Sequence, residues 1–327
     1  MVSCFPLDYM HLTCIGITKR LLSRWSSNKK VETQCAFSLI QKEQIEKQLQ
    51  TYATHVPSEF NRKLNSGFHN CKFWKATELH QFVLYAGIAI LKYILTEPLY
   101  INFLHFAVSM RLLLSDGQEI NMVHAFRLLK SFFQGSLKIY GKSFVSYNVH
   151  CDTSSRSLLE IWYFGAGVVL SVWKLFTVGV NVKGWLTCRN KPLEQICRHV
   201  STANNKFVTE VTNPKDNAKR FYIGNKIFTK QCFPSRDNCI LSNTGKIGHI
   251  TSISDDKMVM KELKADSLFT MPCDSKLVGI YKLTDKTGVI ELYKKDILLK
   301  MIMIPQPERK HIVGILMVSW ILVKKIK

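Results

Sequence analysis

Apolar side chains recur at helical spacing along the first 142 residues, and along the last third of the chain they alternate. Leu12, Ile15, Leu21, Leu22 and Trp25 predict a helix that starts near Asp8. Leu39, Ile40, Ile45 and Leu49 predict a second over 38–50, and Pro57 ends that stretch because proline cannot donate the helical hydrogen bond. Three longer apolar stretches follow at 77–95, 101–114 and 122–140, punctuated by Pro98 and by Asp116-Gly117. The second and third of these are apolar nearly all round, which predicts central places in a bundle.

Residues 143–150 alternate like a short strand. The stretch 151–187 changes character, with Gly, Val and Trp enriched and little polar periodicity. Helical spacing returns over 191–204, with Leu193, Ile196, Cys197 and Val200 on one face. From Lys206 the period becomes two. Short strands are predicted at 221–224, 225–228, 238–241, 247–253, 257–263, 276–283 and 289–292, separated by turns such as Asn243-Thr-Gly245 and Asp285-Lys-Thr-Gly288. Several short, evenly spaced strands predict a small barrel or sandwich. Its core set is Ile240, Ile247, Ile250, Ile253, Val259, Leu263, Phe269, Val278, Ile280 and Leu292. The expected class is α+β: a mainly helical region over 1–150, a divergent apolar segment over 151–188, a helix over 189–205, an independently folding β-barrel over 206–305, and a divergent tail over 306–327.

Composition narrows the function. At 46% hydrophobic and 21% charged residues the chain can bury real cores and is not a disordered tail. The 45 Lys+Arg against 24 Asp+Glu give a formal charge of +21, which favours a polyanionic partner, either nucleic acid or an anionic membrane surface. The ten cysteines form no C-x-x-C pair, which argues against a zinc ribbon and for reduced, mostly buried thiols of an intracellular protein. The first residues lack the basic and apolar regions of a signal peptide. Residues 161–182 are apolar except for Lys174 and Asn181 and are long enough to span a bilayer, which leaves a membrane protein as a minor alternative. No Walker loop, dinucleotide fingerprint, G-x-S-x-G or H-E-x-x-H occurs.

Several stretches, in order, carry a more specific signal. They are Phe5-Pro-Leu-Asp-Tyr-Met-His-Leu-Thr-Cys-Ile-Gly-Ile-Thr-Lys-Arg-Leu-Leu22, then Pro57-Ser-Glu-Phe-Asn-Arg-Lys63 with Phe73-Trp-Lys-Ala-Thr-Glu78 and Leu84-Tyr-Ala-Gly87, then Tyr140-Gly141 to Tyr147-Asn-Val-His150, then Asn190-Lys-Pro-Leu-Glu-Gln-Ile-Cys-Arg198. Together they resemble the C-terminal part of animal CACTA (EnSpm)-type DNA transposases, over roughly 5–150 and 189–305. Asp237-Asn-Cys-Ile-Leu-Ser242, Gly245-Lys-Ile-Gly248, Phe269-Thr-Met-Pro-Cys-Asp-Ser275 and Gly279-Ile-Tyr281 resemble the barrel that ends such proteins. The resemblance implies a ribonuclease H-like core with a helical insertion, an SH3-like barrel and a nuclear location. In the intact family, three acidic residues hold two Mg²⁺ ions for phosphodiester chemistry. The first of those acids belong upstream of the Asp8-Tyr-Met-His11 motif, and the family's polar segment after His150 is replaced here over 151–188. A reading-frame shift, a misassigned exon or a genuine insertion would each leave that gap between two matches. The expectation is a catalytically inactive fragment, with no cofactor of its own, that retains weak, sequence-independent DNA binding. A domesticated nuclear module, whose barrel holds a chromatin or protein partner, is the alternative.

Asp8 and His11 stand three apart and could share a metal, although a helix-capping Asp8 and a packed His11 explain them more simply. His150, at an expected strand end, is a third candidate remnant of the catalytic site. Glu78 reads as a charge at a helix start. Lys19, Arg20 and Arg24, Lys29 and Lys30, and Arg62 and Lys63 are the candidate phosphate contacts.

Overall fold

The computed structural model describes residues 10–27, 35–60, 63–64, 67–115, 119–144, 208–211, 220–223, 226–229, 236–254, 256–306 and 311–317. Helices fill the N-terminal half and antiparallel strands the C-terminal part, an α+β chain. The expected apolar segment at 151–188 and the helix at 189–205 lie outside the described residues. Of the strand expected over 143–150, the described part belongs to a short 3₁₀ turn, Lys142–Phe144.

The first helical stretch begins as a wide π-type segment, Met10–Thr18, and tightens into α1 (Lys19–Ser26). It buries Leu12, Cys14, Ile17, Leu21, Leu22 and Trp25, whereas Ile15 is 40% exposed instead of packed. Helix α2 (Leu39–His55) starts at Ser38, whose hydroxyl accepts from the Gln41 N–H while the Gln41 side chain accepts from the Ser38 N–H. Leu39 and Ile40, expected in the core, face solvent. They precede Ile45 by six and five residues, the wrong phase for a repeat of 3.6, and the buried stripe is Lys42, Ile45, Leu49 and Tyr52.

The expected helix over 77–95 is a chain of shorter pieces: α3 (Ala76–Gln81), a π-type turn Phe82–Ala86, and α4 (Gly87–Leu91). Every residue from Phe82 to Leu91 is buried, so this is the centre of the helical half. Helix α5 (Glu97–Leu114) carries Pro98 in its first turn, where the missing N–H had no helical partner to lose. It buries nearly its whole circumference, as its composition predicts. Helix α6 (Glu119–Tyr140) corrects the other expectation. It buries a single stripe, Ala125, Phe132, Ser136 and Tyr140, and turns its cations outward. Asn102 ties it to α5 by donating to the Phe132 carbonyl at 3.0 Å and accepting from Ser136 at 3.2 Å.

Strands β1 (Val208–Val211), β2 (Arg220–Ile223) and β3 (Lys226–Thr229) form a separate antiparallel sheet of three. The other six are β4 (Cys239–Ser242), β5 (Ile247–Ile253), β6 (Lys257–Ser267), β7 (Ile280–Tyr293), β8 (Ile297–Gln306) and β9 (His311–Leu316). All their pairings are antiparallel, in the order β4-β5-β6-β7-β9-β8, and β8 returns to β4, which closes the ring. The strands expected at 276–283 and 289–292 differ: Ser275–Val278 is a 3₁₀ turn ended by Gly279 at φ 70°, and β7 then runs unbroken. The alternation predicts neither β8 nor β9, and β9 lies in the stretch that reads as a divergent tail.

The reason is double burial. Leu299 to Ile304 is buried at every position, so it shows no alternation. Met301, Met303 and Leu299 face the ring's interior with Cys239, Leu241 and Leu283. Ile302 and Ile304, with Ile280, Val313 and Ile315, join the core of the helical half instead. Helices and ring therefore meet in one hydrophobic cluster, while the ring keeps a second cluster of its own inside.

Candidate nucleic-acid interface

Arg20 and Arg24 stand one turn apart on α1, so their side chains leave the same side of the helix. Both reach the turn that follows α6. The Arg20 guanidinium donates to the Ser143 carbonyl at 2.5 Å and lies over the Phe144 ring, and the Arg24 guanidinium donates to the Ser143 hydroxyl at 2.9 Å. Gly141, at φ 75°, makes this approach possible by turning the chain as α6 ends. Below the surface, Trp25 donates its indole N–H to the Tyr140 hydroxyl at 3.2 Å, which ties α1 to the end of α6. Partial burial, and then the neighbouring Arg24 charge, lower the Arg20 pKa from its usual value. Lys19 is half-buried beside them, and Lys142 and Ser143 are exposed. No aspartate or glutamate occurs in 10–27 or in 120–144, so this corner carries cations without nearby sequence partners of opposite sign.

Lys63 belongs to a different neighbourhood. Burial and Arg236 lower its pKa while Asp237 opposes them, and Arg236 itself donates to the Thr54 carbonyl at 2.9 Å. Lys29, Lys30 and Arg62 lie outside the described residues, as do Asp8 and His150. His11 is exposed, not packed in the bundle. Among the described residues no group of three or more His, Cys, Asp or Glu is placed to hold a metal ion. Glu78 acts as a helix-start charge, accepting from the Lys75 N–H at 2.8 Å. The described cysteines, Cys14, Cys35, Cys71, Cys239 and Cys273, are free thiols. No helix among the described residues is long and apolar enough to cross a membrane, and 161–182 lies outside them.

Two buried cations, Lys300 and Arg111, lie outside the candidates that the sequence pattern offers. Lys300, fully buried on β8, donates to both Glu59 oxygens at 2.7 and 2.8 Å, to Asp237 at 2.5 Å and to the Ile227 carbonyl at 2.6 Å. It gathers the segment after α2, the end of the three-stranded sheet and the entry to β4 around one ammonium. Because the cation fills the space between the two carboxylates, the cluster is a structural clasp and leaves no room for a metal there.

Arg111, 4% exposed on α5, donates to the carbonyls of Val278, Leu84 and Leu316 at 2.9–3.1 Å, and its guanidinium stands 5.7 Å from the Tyr85 ring. Burial pulls its pKa down to about 10, which still leaves it charged at neutral pH. A lone arginine inside a nearly unbroken apolar run was the available signal. No family model, curated protein or solved structure matches the chain.

Proposed function

We propose that this is a transposase-derived nuclear protein that binds duplex DNA without sequence preference and does not cut or join it. The observation that carries the reading is the α1–Ser143 corner: guanidiniums held in place by backbone and aromatic contacts, on segments free of acids, in a chain of net charge +21. Cations of this kind hold phosphates without reading bases. The family resemblance supplies the rest. On that reading the helices are what remains of a ribonuclease H-like core and its insertion. The strand ring is the SH3-like barrel of the family, with the Asp237-Asn-Cys-Ile-Leu-Ser242 motif entering β4. Because the resemblance lapses over 151–188, a Mg²⁺-dependent strand-transfer site is not part of the proposal.

The test is fluorescence anisotropy on a labelled DNA duplex of arbitrary sequence. Binding weakens as salt rises from about 50 to 200 mM, in proportion to the phosphates contacted. Binding that does not change with salt, or no binding at low salt, overturns the proposal. Metal-dependent nicking by the purified protein overturns its inactive part.

A second reading draws on the outer face of β6 and β7. Val289 and Tyr293 are 67% and 46% exposed there, opposite Lys261 and Lys257 in the strand register. Exposed apolar side chains on a paired face suit a protein or chromatin partner of the barrel, in a domesticated binding module. Stable capture of nucleosomes, but not of free DNA, favours that reading over the first.

A further inference from the structure

We infer that the solvent face of α6 is a linear docking track for the backbone of B-form DNA, a proposal that rests on the DNA-binding reading above and extends it to residues outside the α1–Ser143 corner. Arg127, Lys130 and Lys138 are exposed, along with His124, Ser131 and Gln134. At 100° per residue these positions fall within about a third of the helix circumference. From His124 to Lys138 the row is about 21 Å long at 1.5 Å per residue, close to the rise of six nucleotides along one strand. Lys142, just past the helix end, continues the row to Ser143, where Arg20 and Arg24 converge. Among the described residues none of Arg127, Lys130, Lys138 or Lys142 has an ion-pair partner. Three lysines of the strand ring differ: Lys257, Lys261 and Lys264 are paired with Glu291, Asp285 and Asp266.

The occupant follows from shape as well as charge. A membrane surface takes up a basic helix by receiving its apolar face, but the apolar stripe of α6 is already buried, with Phe132 stacked on Phe106 of α5. A rigid, straight row of cations suits a rigid, regularly charged rod. A helix laid at the wide major groove of B-form DNA brings such a row against the phosphates along its edge, whereas the A-form groove of RNA is too deep and narrow to admit a helix.

The full chain should be compared with two triple variants, Arg127→Gln/Lys130→Gln/Lys138→Gln on α6 and Lys47→Gln/Lys246→Gln/Lys276→Gln on exposed positions elsewhere. All six positions are exposed, and circular dichroism checks that each variant keeps the parent fold. The probes are a 20-base-pair DNA duplex, the RNA duplex of the same sequence, and vesicles containing anionic phospholipid. The α6 variant should bind DNA about tenfold or more weakly near 100 mM salt, and the slope of log K on log salt should be shallower by about 2 to 3. The second variant should lose clearly less. Equal losses from the two variants, or an unchanged salt slope in the α6 variant, overturn the track while leaving general DNA binding intact. No binding by the parent chain overturns the underlying reading instead. Tighter binding to the RNA duplex or to the vesicles than to DNA overturns the choice of occupant.

Discussion

At the scale of single residues, the buried cations decide what the packing can tolerate. Lys300 neutralises two carboxylates that lie mostly out of water, with side-chain exposures of 17% for Glu59 and 11% for Asp237. Removing one partner from such a cluster leaves uncompensated charge, so Lys300→Met should destabilise the fold by about 3–5 kcal/mol in urea unfolding. Adding Glu59→Gln and Asp237→Asn should restore part of that loss, and no restoration would mean that the clasp works by shape rather than charge.

Histidines set the pH response. Burial lowers the pKa of His80 to about 4, from 6.5, and burial also lowers His105 and His249, the last with help from Lys261. The unfolded chain therefore takes up more protons than the folded one between about pH 6.5 and 4. The stability these neutral histidines contribute is complete above 6.5 and is lost as the pH falls through that window. The melting temperature should drop steadily from pH 7 to 4, and a flat profile would show that these side chains protonate without cost. Neither effect was legible in advance, because a lone Lys in a strand or His in a helix looks the same in sequence whether buried or solvated.

At the scale of elements, legibility followed exposure. Strand β5 matches its expected limits, 247–253, although Ile247 to Ile250 is buried at every position; Thr251 and Ser252, beside a break in the pairing register, meet water. Strand β8 hid because both faces are covered, and α6 was misplaced because Leu128, Leu129 and Phe133 made a half-buried helix look like a central one. The cationic row on α6 was present in the sequence from the start, at spacings of three to four, but became a surface only once the opposite face was seen to pack. By contrast, the start of α2 could be read from Ser38 and Gln41. The reciprocal bonds of that cap lead to a definite expectation: Ser38→Ala should cost about 1 kcal/mol, measured by thermal or chemical unfolding. A loss of the whole fold would mean that Ser38 does more than end a helix.

For the whole molecule, one hydrophobic cluster runs from the helices onto Ile280, Ile302, Ile304, Val313 and Ile315 of the strands. A fragment covering 206–305 lacks β9 and also lacks the helical surface that covers Ile280, Ile302 and Ile304. Arg111 would no longer satisfy the carbonyl of Val278. Expressed alone, the fragment should be unfolded or aggregated, whereas a cooperatively melting, soluble β-protein would show that the ring's interior is sufficient. What the sequence did convey was the switch from helical to alternating periodicity. What it could not convey was that the two halves meet across a strand buried on both sides.

The position of β9 has one more consequence. It follows β7 and β8 in the chain yet lies between them, paired with both. Before it arrives, two strands present open rows of donors and acceptors with the same register waiting on each side. A β9 from another copy fits that gap as well as the chain's own does, and the short connection from β8 at Gln306 to His311 favours the native choice. Raising the concentration during refolding should therefore favour molecules that exchange their final strands, an exchange that joins copies without creating any new contact.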